Sequence, residues 1–220
     1  MEKGPKVIVF SDKLEFVFEE KEKFINKVNQ IFSTCSIDAW EKKHLRFQIN
    51  PYSPFIMEKF TPRFLKGAIP MPVSRFTLYR TDNSEEVSEV EVYMERKKGQ
   101  IFYGMDSFTF DEYRKRNYNN MLRAIFIMSA KHIALVIPPE VAGQGHYIFT
   151  PDIVGSLVVS EFSGSSWKNF GITASLENTD IYAAPLNEEL YNRAKKYFKE
   201  LMTKGTKGDC KETDELIKIL

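Results

Sequence analysis

The sequence predicts an α+β domain, a central mixed, mainly antiparallel sheet covered by helices, and three observations carry that prediction. Arg75–Arg80, Val87–Met94 and Gln100–Phe110 are consecutive stretches of alternating, β-branched and aromatic residues, and Thr81-Asp82-Asn83-Ser84 and Lys97-Lys98-Gly99 supply turn chemistry between them. Tyr118, Met121, Leu122, Ile125 and Met128 then fall at i, i+3, i+4, i+7 and i+10, one face of a helix expected over 115–131. His132–Ile137 follows as an apolar run closed by Pro138-Pro139, which reads as a return strand of the same sheet. Strand, polar turn, helix and strand from Gln100 to Ile137 form the unit around which the other segments pack.

In chain order, Lys6–Phe10 and Leu14–Phe18 are candidate strands, the first by its apolar run and the second by alternation. Phe24, Val28, Ile31 and Phe32 change the period to that of an amphipathic helix. Ser36–Trp40 can open another, with Asp38 as its cap. From Asn50 to Pro72 the five prolines Pro51, Pro54, Pro62, Pro70 and Pro72 exclude one regular element. Phe55, Ile56, Met57, Phe60, Phe64 and Leu65 make that stretch too apolar for a disordered linker, so 19–72 is expected to be a helical and irregular region. Beyond Gly143-Gln144-Gly145, Tyr147–Phe149 and Ile153–Phe162 read as strands and Ser163–Ser166 as a turn. Leu186, Leu190, Ala194, Tyr197, Phe198 and Leu201 predict a last helix over 187–202. One domain over 1–202 is expected, followed by a polar tail, 203–220, that ends in an apolar handle.

Composition narrows the function. With 31 Lys and Arg against 30 Asp and Glu, the net charge of +1 gives no global attraction to nucleic acid, so any anion site must be local. Cys35 and Cys210 are far apart, which argues against a disulfide framework and for a reducing compartment. No apolar run reaches the length of a signal core or a membrane span, and a cytoplasmic protein is expected. His44, His132 and His146 are scattered, with no pair at metal-ligand spacing, so no metal site is expected.

The densest local cluster of cations, Arg114-Lys115-Arg116, stands at the expected helix start. Unpaired N–H groups and the positive dipole end already favour an anion there, so added cations oppose folding unless a ligand such as phosphate sits between them. On that reading, replacing Arg116 by Gln should leave the empty protein unchanged or slightly more stable. The alternative is a solvated helix start.

Phe110-Asp111-Glu112-Tyr113-Arg114-Lys115-Arg116-Asn117-Tyr118-Asn119 resembles the coenzyme loop of the GNAT superfamily of acyl-CoA N-acyltransferases, which runs Arg or Gln, two residues, Gly, one residue, then Gly or Ala. Arg114 matches the first position, and Asn117 and Asn119 replace the glycines. Asn is the residue that best tolerates the left-handed backbone in glycine's place, although it adds bulk. The resemblance covers about residues 75–140. It implies acetyl-CoA as cofactor, held by Arg114, Lys115, Arg116, Asn117, Tyr118 and Asn119, and an amine acceptor, small molecule or protein, on the side of the segment before the sheet. It also implies a Tyr that protonates the leaving thiolate, on a helix where this chain instead reads as strands. A GNAT-like or other α+β protein that has lost catalysis and acts in binding is the alternative.

The candidate catalytic residues are Asp106, His146 and Tyr147. Asp106 interrupts an apolar strand, where desolvation can raise a carboxylate into the range of a general base. It can equally face water. His146, beside Tyr147 after the glycine loop, is a candidate acid or base, with a structural role as the alternative. Other patterns are weak: Gly143-Gln144-Gly145 lacks a third glycine, Gly164-Ser165-Ser166 lacks the second glycine of a nucleophile elbow, and Glu95-Arg96-Lys97 is a charged hairpin end.

Overall fold

A computed structural model describes residues 15–18, 21–35, 38–51, 69–97, 100–129, 133–136, 156–160, 168–172 and 181–203, and among these strands of 4 to 12 residues alternate with three long helices and one short one. In order these are β1 (Glu15–Phe18), α1 (Lys21–Cys35), α2 (Ala39–His44), β2 (Leu45–Pro51), β3 (Ile69–Arg80), β4 (Glu86–Lys97) and β5 (Gln100–Thr109). A 3-10 turn at Asp111–Tyr113 then leads to α3 (Tyr118–Ser129), β6 (Ile133–Val136), β7 (Ser156–Ser160), a second 3-10 turn at Lys168–Phe170, β8 (Ile181–Pro185) and α4 (Glu188–Thr203). The architecture is α+β. The main sheet has the order β2-β3-β4-β5-β7-β8, antiparallel throughout except for β5 beside β7.

The hairpin β3–β4 forms where the sequence predicts it. The amide nitrogen of Arg80 donates to the carbonyl of Glu85 at 2.8 Å, and the Asn83 side chain accepts from the Glu85 amide at 3.1 Å, an Asx-type closure. β3 reaches back to Ile69 across Pro70 and Pro72, in a stretch expected to be irregular. Those prolines fit because β2 ends opposite Ser74, so among the described residues β3 is paired before that point with β4 alone and one edge needs no N–H. The register slips between Pro72 and Ser74, where the second edge becomes occupied.

Period-2 alternation decides which face is core. Leu45, Phe47 and Ile49 of β2, Phe76 and Leu78 of β3, Val90 and Val92 of β4, and Tyr103 and Met105 of β5 are buried, and the helices cover them. The β2 strand is an edge, and the Asn29 side chain of α1 takes up its main chain at Phe47, donating to the carbonyl at 3.0 Å and accepting from the amide at 2.6 Å. Phe24 of α1 meets Phe47 edge-on, and Phe32 meets Phe198 of α4. Asp38 caps α2 as expected, its carboxylate accepting from the Trp40 amide at 2.7 Å.

Two expectations are corrected. The predicted return strand exists as β6 but pairs antiparallel with β1, in a separate two-stranded sheet. The seat beside β5 belongs to β7, in parallel register at Phe102–Ser156 and Tyr103–Leu157. The helix begins at Tyr118, not at 115, because Lys115 and Asn117 take left-handed backbone (φ 67° and 62°), which no right-handed helix accommodates. Its burial is also broader than one face: Ala124, Phe126 and Ile127 are as enclosed as Leu122 and Ile125, as in a helix apolar on all sides. No helix among the described residues is long and apolar enough to cross a membrane.

Candidate functional site

The loop between β5 and α3 is held at three points. Tyr113, buried at its start, stacks on Trp40 of α2 with ring centroids 6.3 Å apart, and Arg80 donates to the Tyr113 hydroxyl at 3.0 Å while lying over the Trp40 ring. At its end the Tyr118 hydroxyl donates to Glu41 at 2.5 Å; burial, then this bond, push the phenol pKa up. Between them Arg116 reaches Asp38 at 3.6 Å and Glu41 at 3.5 Å. The third point is Ser88 of β4, whose hydroxyl gathers the side-chain oxygens of Asn119 (2.7 Å) and Thr109 (2.9 Å) and the Phe108 carbonyl (2.9 Å).

These anchors frame a cavity of about 440 Å³ at the junction of β5 and α3. One wall is strand, with Ser107, Phe108 and Thr109; the loop contributes Tyr113, Arg114, Lys115 and Asn117; the first turns of α3 contribute Tyr118, Asn119, Asn120 and Arg123. Five of the six residues that the sequence assigns to coenzyme binding therefore border one space, and Arg116 alone turns away to α2. Within the loop, Asn117 adopts the left-handed backbone expected of an Asn standing for Gly. Asn119 does not: it is helical and serves through its side chain, tied to Ser88.

The charges are unevenly distributed. Arg114 is exposed and paired with Asp111 at 2.7 Å. Lys115 makes no ion pair among the described residues. Arg123 is only 8% exposed, and its guanidinium donates to Ser107 Oγ at 2.7 Å and to Asn120 Oδ1 at 3.5 Å. Burial pushes its pKa down to about 10, the direction expected of a cation moved out of water. Arg123 escaped the sequence reading, yet it left a signal: one arginine within the otherwise apolar run Met121–Met128.

Among the candidate catalytic residues, Asp106 stands in β5 opposite Glu91. His146 and Tyr147 lie outside the described residues. Cys35 is buried in α1, and Cys210 also lies outside them. No protein-family model and no curated protein sequence matches this chain.

The position of Arg116 reverses the sign expected for its removal. It precedes the helix and bridges two carboxylates of another element, so Arg116→Gln is expected to lower stability by about 0.3–1 kcal/mol, the range of a partly exposed ion pair. Thermal melts at fixed low ionic strength measure this, and an unchanged or raised midpoint would return Arg116 to the role of a repelled helix-start cation.

Proposed function

We propose that this chain binds an acyl-coenzyme A at the β5–α3 junction and passes the acyl group to an amine. The observation that carries the reading is the cavity itself, bordered by Arg114, Lys115, Asn117, Tyr118 and Asn119, the stretch that resembles the coenzyme loop of the GNAT superfamily. A volume of about 440 Å³ falls within the roughly 300–1,000 Å³ of small-molecule sites. Its lining suits part of such a ligand: cations and amides for phosphate, and hydroxyls of Ser107 and Thr109 for amide groups. Among the described residues, β5 has no strand partner on the β7 side from Gly104 to Thr109, which leaves main-chain groups for an extended ligand.

When bound, the thioester supplies the activated acyl group. The residues of this chain position it against the amine, which requires a base for the ammonium proton and a donor to the carbonyl oxygen. Asp106 is the proposed base, with His146 and Tyr147 as the further proposed catalytic residues.

A second reading, a binding protein without catalysis, draws on Arg114 and Arg116 being matched by carboxylates of the protein. Calorimetric titration with acetyl-CoA, alongside thiol release in the presence of amines, separates the two. Saturable binding, weakened in Asn119→Asp by the added carboxylate, is expected for the parent. Binding without thiol release supports the second reading, and absence of binding removes both as coenzyme proteins.

A further inference from the structure

We infer that Phe108 and Phe110 form a stacking platform at the rim of the β5–α3 cavity and that the ligand it selects is a nucleotide, its base on Phe108 and a phosphate at Lys115, resting on the proposed function only in that a phosphate-bearing ligand enters this cavity.

Among the described residues, Phe108 and Phe110 are the large apolar side chains left in solvent, 45% and 38% exposed. Single exposed rings are ordinary on a protein surface, but these two are in contact, and Phe108 borders the cavity. Alternation along β5 accounts for the exposure. Tyr103 and Met105 face the core, so Phe108 falls on the opposite face, where its cross-strand neighbour is Glu89 rather than an apolar residue. The two rings meet edge-on, with centroids 5.0 Å apart and planes at 86°, and each fixes the plane of the other. A ring oriented before a ligand arrives loses little freedom when the ligand stacks on it.

The rest of the wall is polar and rich in donors. Arg114 faces Asp111 and Arg123 is bonded to Ser107 and Asn120, whereas Lys115 is exposed and makes no ion pair among the described residues. The side-chain oxygens of Asn117 and Asn119 already accept from Asn120 and Ser88, so these two residues offer a ligand their amide N–H groups. An aliphatic ligand would cover those donors without pairing them, and a free phosphate would leave the rings wet. A nucleobase joins an aromatic face to an edge that carries acceptors, and its sugar and phosphate extend the row of acceptors toward Lys115. The volume of about 440 Å³ lies in the range of sites that hold molecules of this size.

The test uses the full chain, titrated by calorimetry at one ionic strength with adenosine 5′-monophosphate, ribose 5-phosphate and acetyl-CoA. The nucleotide is expected to bind, and ribose 5-phosphate, which lacks the base, about tenfold more weakly. Equal affinity for the two, or no binding of the nucleotide, would overturn the inference. Phe108→Ala should lower nucleotide affinity about tenfold, and Phe108→Trp should retain it with the indole fluorescence quenched on saturation. Lys115→Gln should weaken the nucleotide and reduce the salt dependence of its binding, whereas the exposed Lys43→Gln of α2 should change neither. A Phe108→Ala variant with parental affinity, or a Phe108→Trp signal that does not respond to the nucleotide, also overturns the platform. Nucleotide binding through Phe108 without acetyl-CoA binding leaves this inference standing and removes the acyl-transfer reading. Acetyl-CoA binding with equal affinity to parent and Phe108→Ala does the reverse.

Discussion

Replacing Phe126 with Ala is expected to lower the free energy of unfolding by about 3–5 kcal/mol, the usual cost of emptying a fully enclosed aromatic site. Phe126 joins three elements. Its ring lies edge-on to Phe76 of β3 at 5.6 Å and beside Tyr103 of β5 at 5.8 Å, and no part of it reaches solvent. The cavity left by Ala would lie between a helix and a sheet in a core whose other members, Leu78, Val90 and Leu122 among them, are fully buried, so there is little freedom to collapse into it. Phe108, 45% exposed at the end of β5, is the control, with an expected loss under about 1 kcal/mol on the same substitution. Urea unfolding with equal slopes for parent and variants measures both. A loss below about 1.5 kcal/mol for Phe126→Ala would mean that α3 does not sit on the sheet as described.

What the sequence reveals of this fold is what local periodicity encodes. The helices α1 and α4 and the β3–β4 hairpin were legible because each buries one stripe or one face, and the burial repeats at 3.6 or 2 residues. The β2 strand has the same signal in Leu45, Phe47 and Ile49 but runs straight on from α2, with no turn residue between His44 and Leu45 to announce it. The start of β3 was hidden by Pro70 and Pro72, which argue against a strand unless one edge is known to be open. No local feature specifies that β6 pairs with β1 or that β7 lies beside β5; those are long-range choices among similar short apolar strands.

The site divides in the same way. The loop residues stood out as a cluster of cations before a helix. Their assignments did not, since Asp111 and the carboxylates Asp38 and Glu41, more than seventy residues upstream of Arg116, are what occupy Arg114 and Arg116. Arg123 was absorbed into the apolar run of α3, because sequence alone does not tell a buried cation from one on a solvated helix face. The left-handed backbone at Asn117 was expected from its place in the loop, whereas that at Lys115 carries no residue signature.

Tyr103→Phe is expected to flatten the loss of stability in alkali by about 1.4 kcal/mol per pH unit, the worth of one proton in linkage. The Tyr103 ring is fully buried, and burial alone pushes its phenol well above the ordinary value of 10.0. The folded protein therefore holds this proton more tightly than the unfolded chain does. The contribution is fully present below pH 10 and is lost as pH rises above it, because the unfolded chain ionises first. Tyr118, Tyr191 and Tyr197, also pushed up chiefly by burial, act with the same sign. Arg123 acts against them: burial holds its folded value, about 10, below that of the unfolded chain, so folding costs less as pH rises above 10. Four raised tyrosines against one lowered arginine leave the parent losing stability as pH rises above 10, and removing the Tyr103 hydroxyl takes about 1.4 kcal/mol per unit out of that loss. At pH 7 the same variant should be neutral or stabilised by up to about 1–3 kcal/mol, since the Tyr103 hydroxyl has no hydrogen-bond partner among the described residues. Urea midpoints of parent and Tyr103→Phe at pH 7, 10, 11 and 12 read both effects. Parallel curves, or a variant weakened at pH 7, would show that this hydroxyl is neither dry nor alone in the folded core.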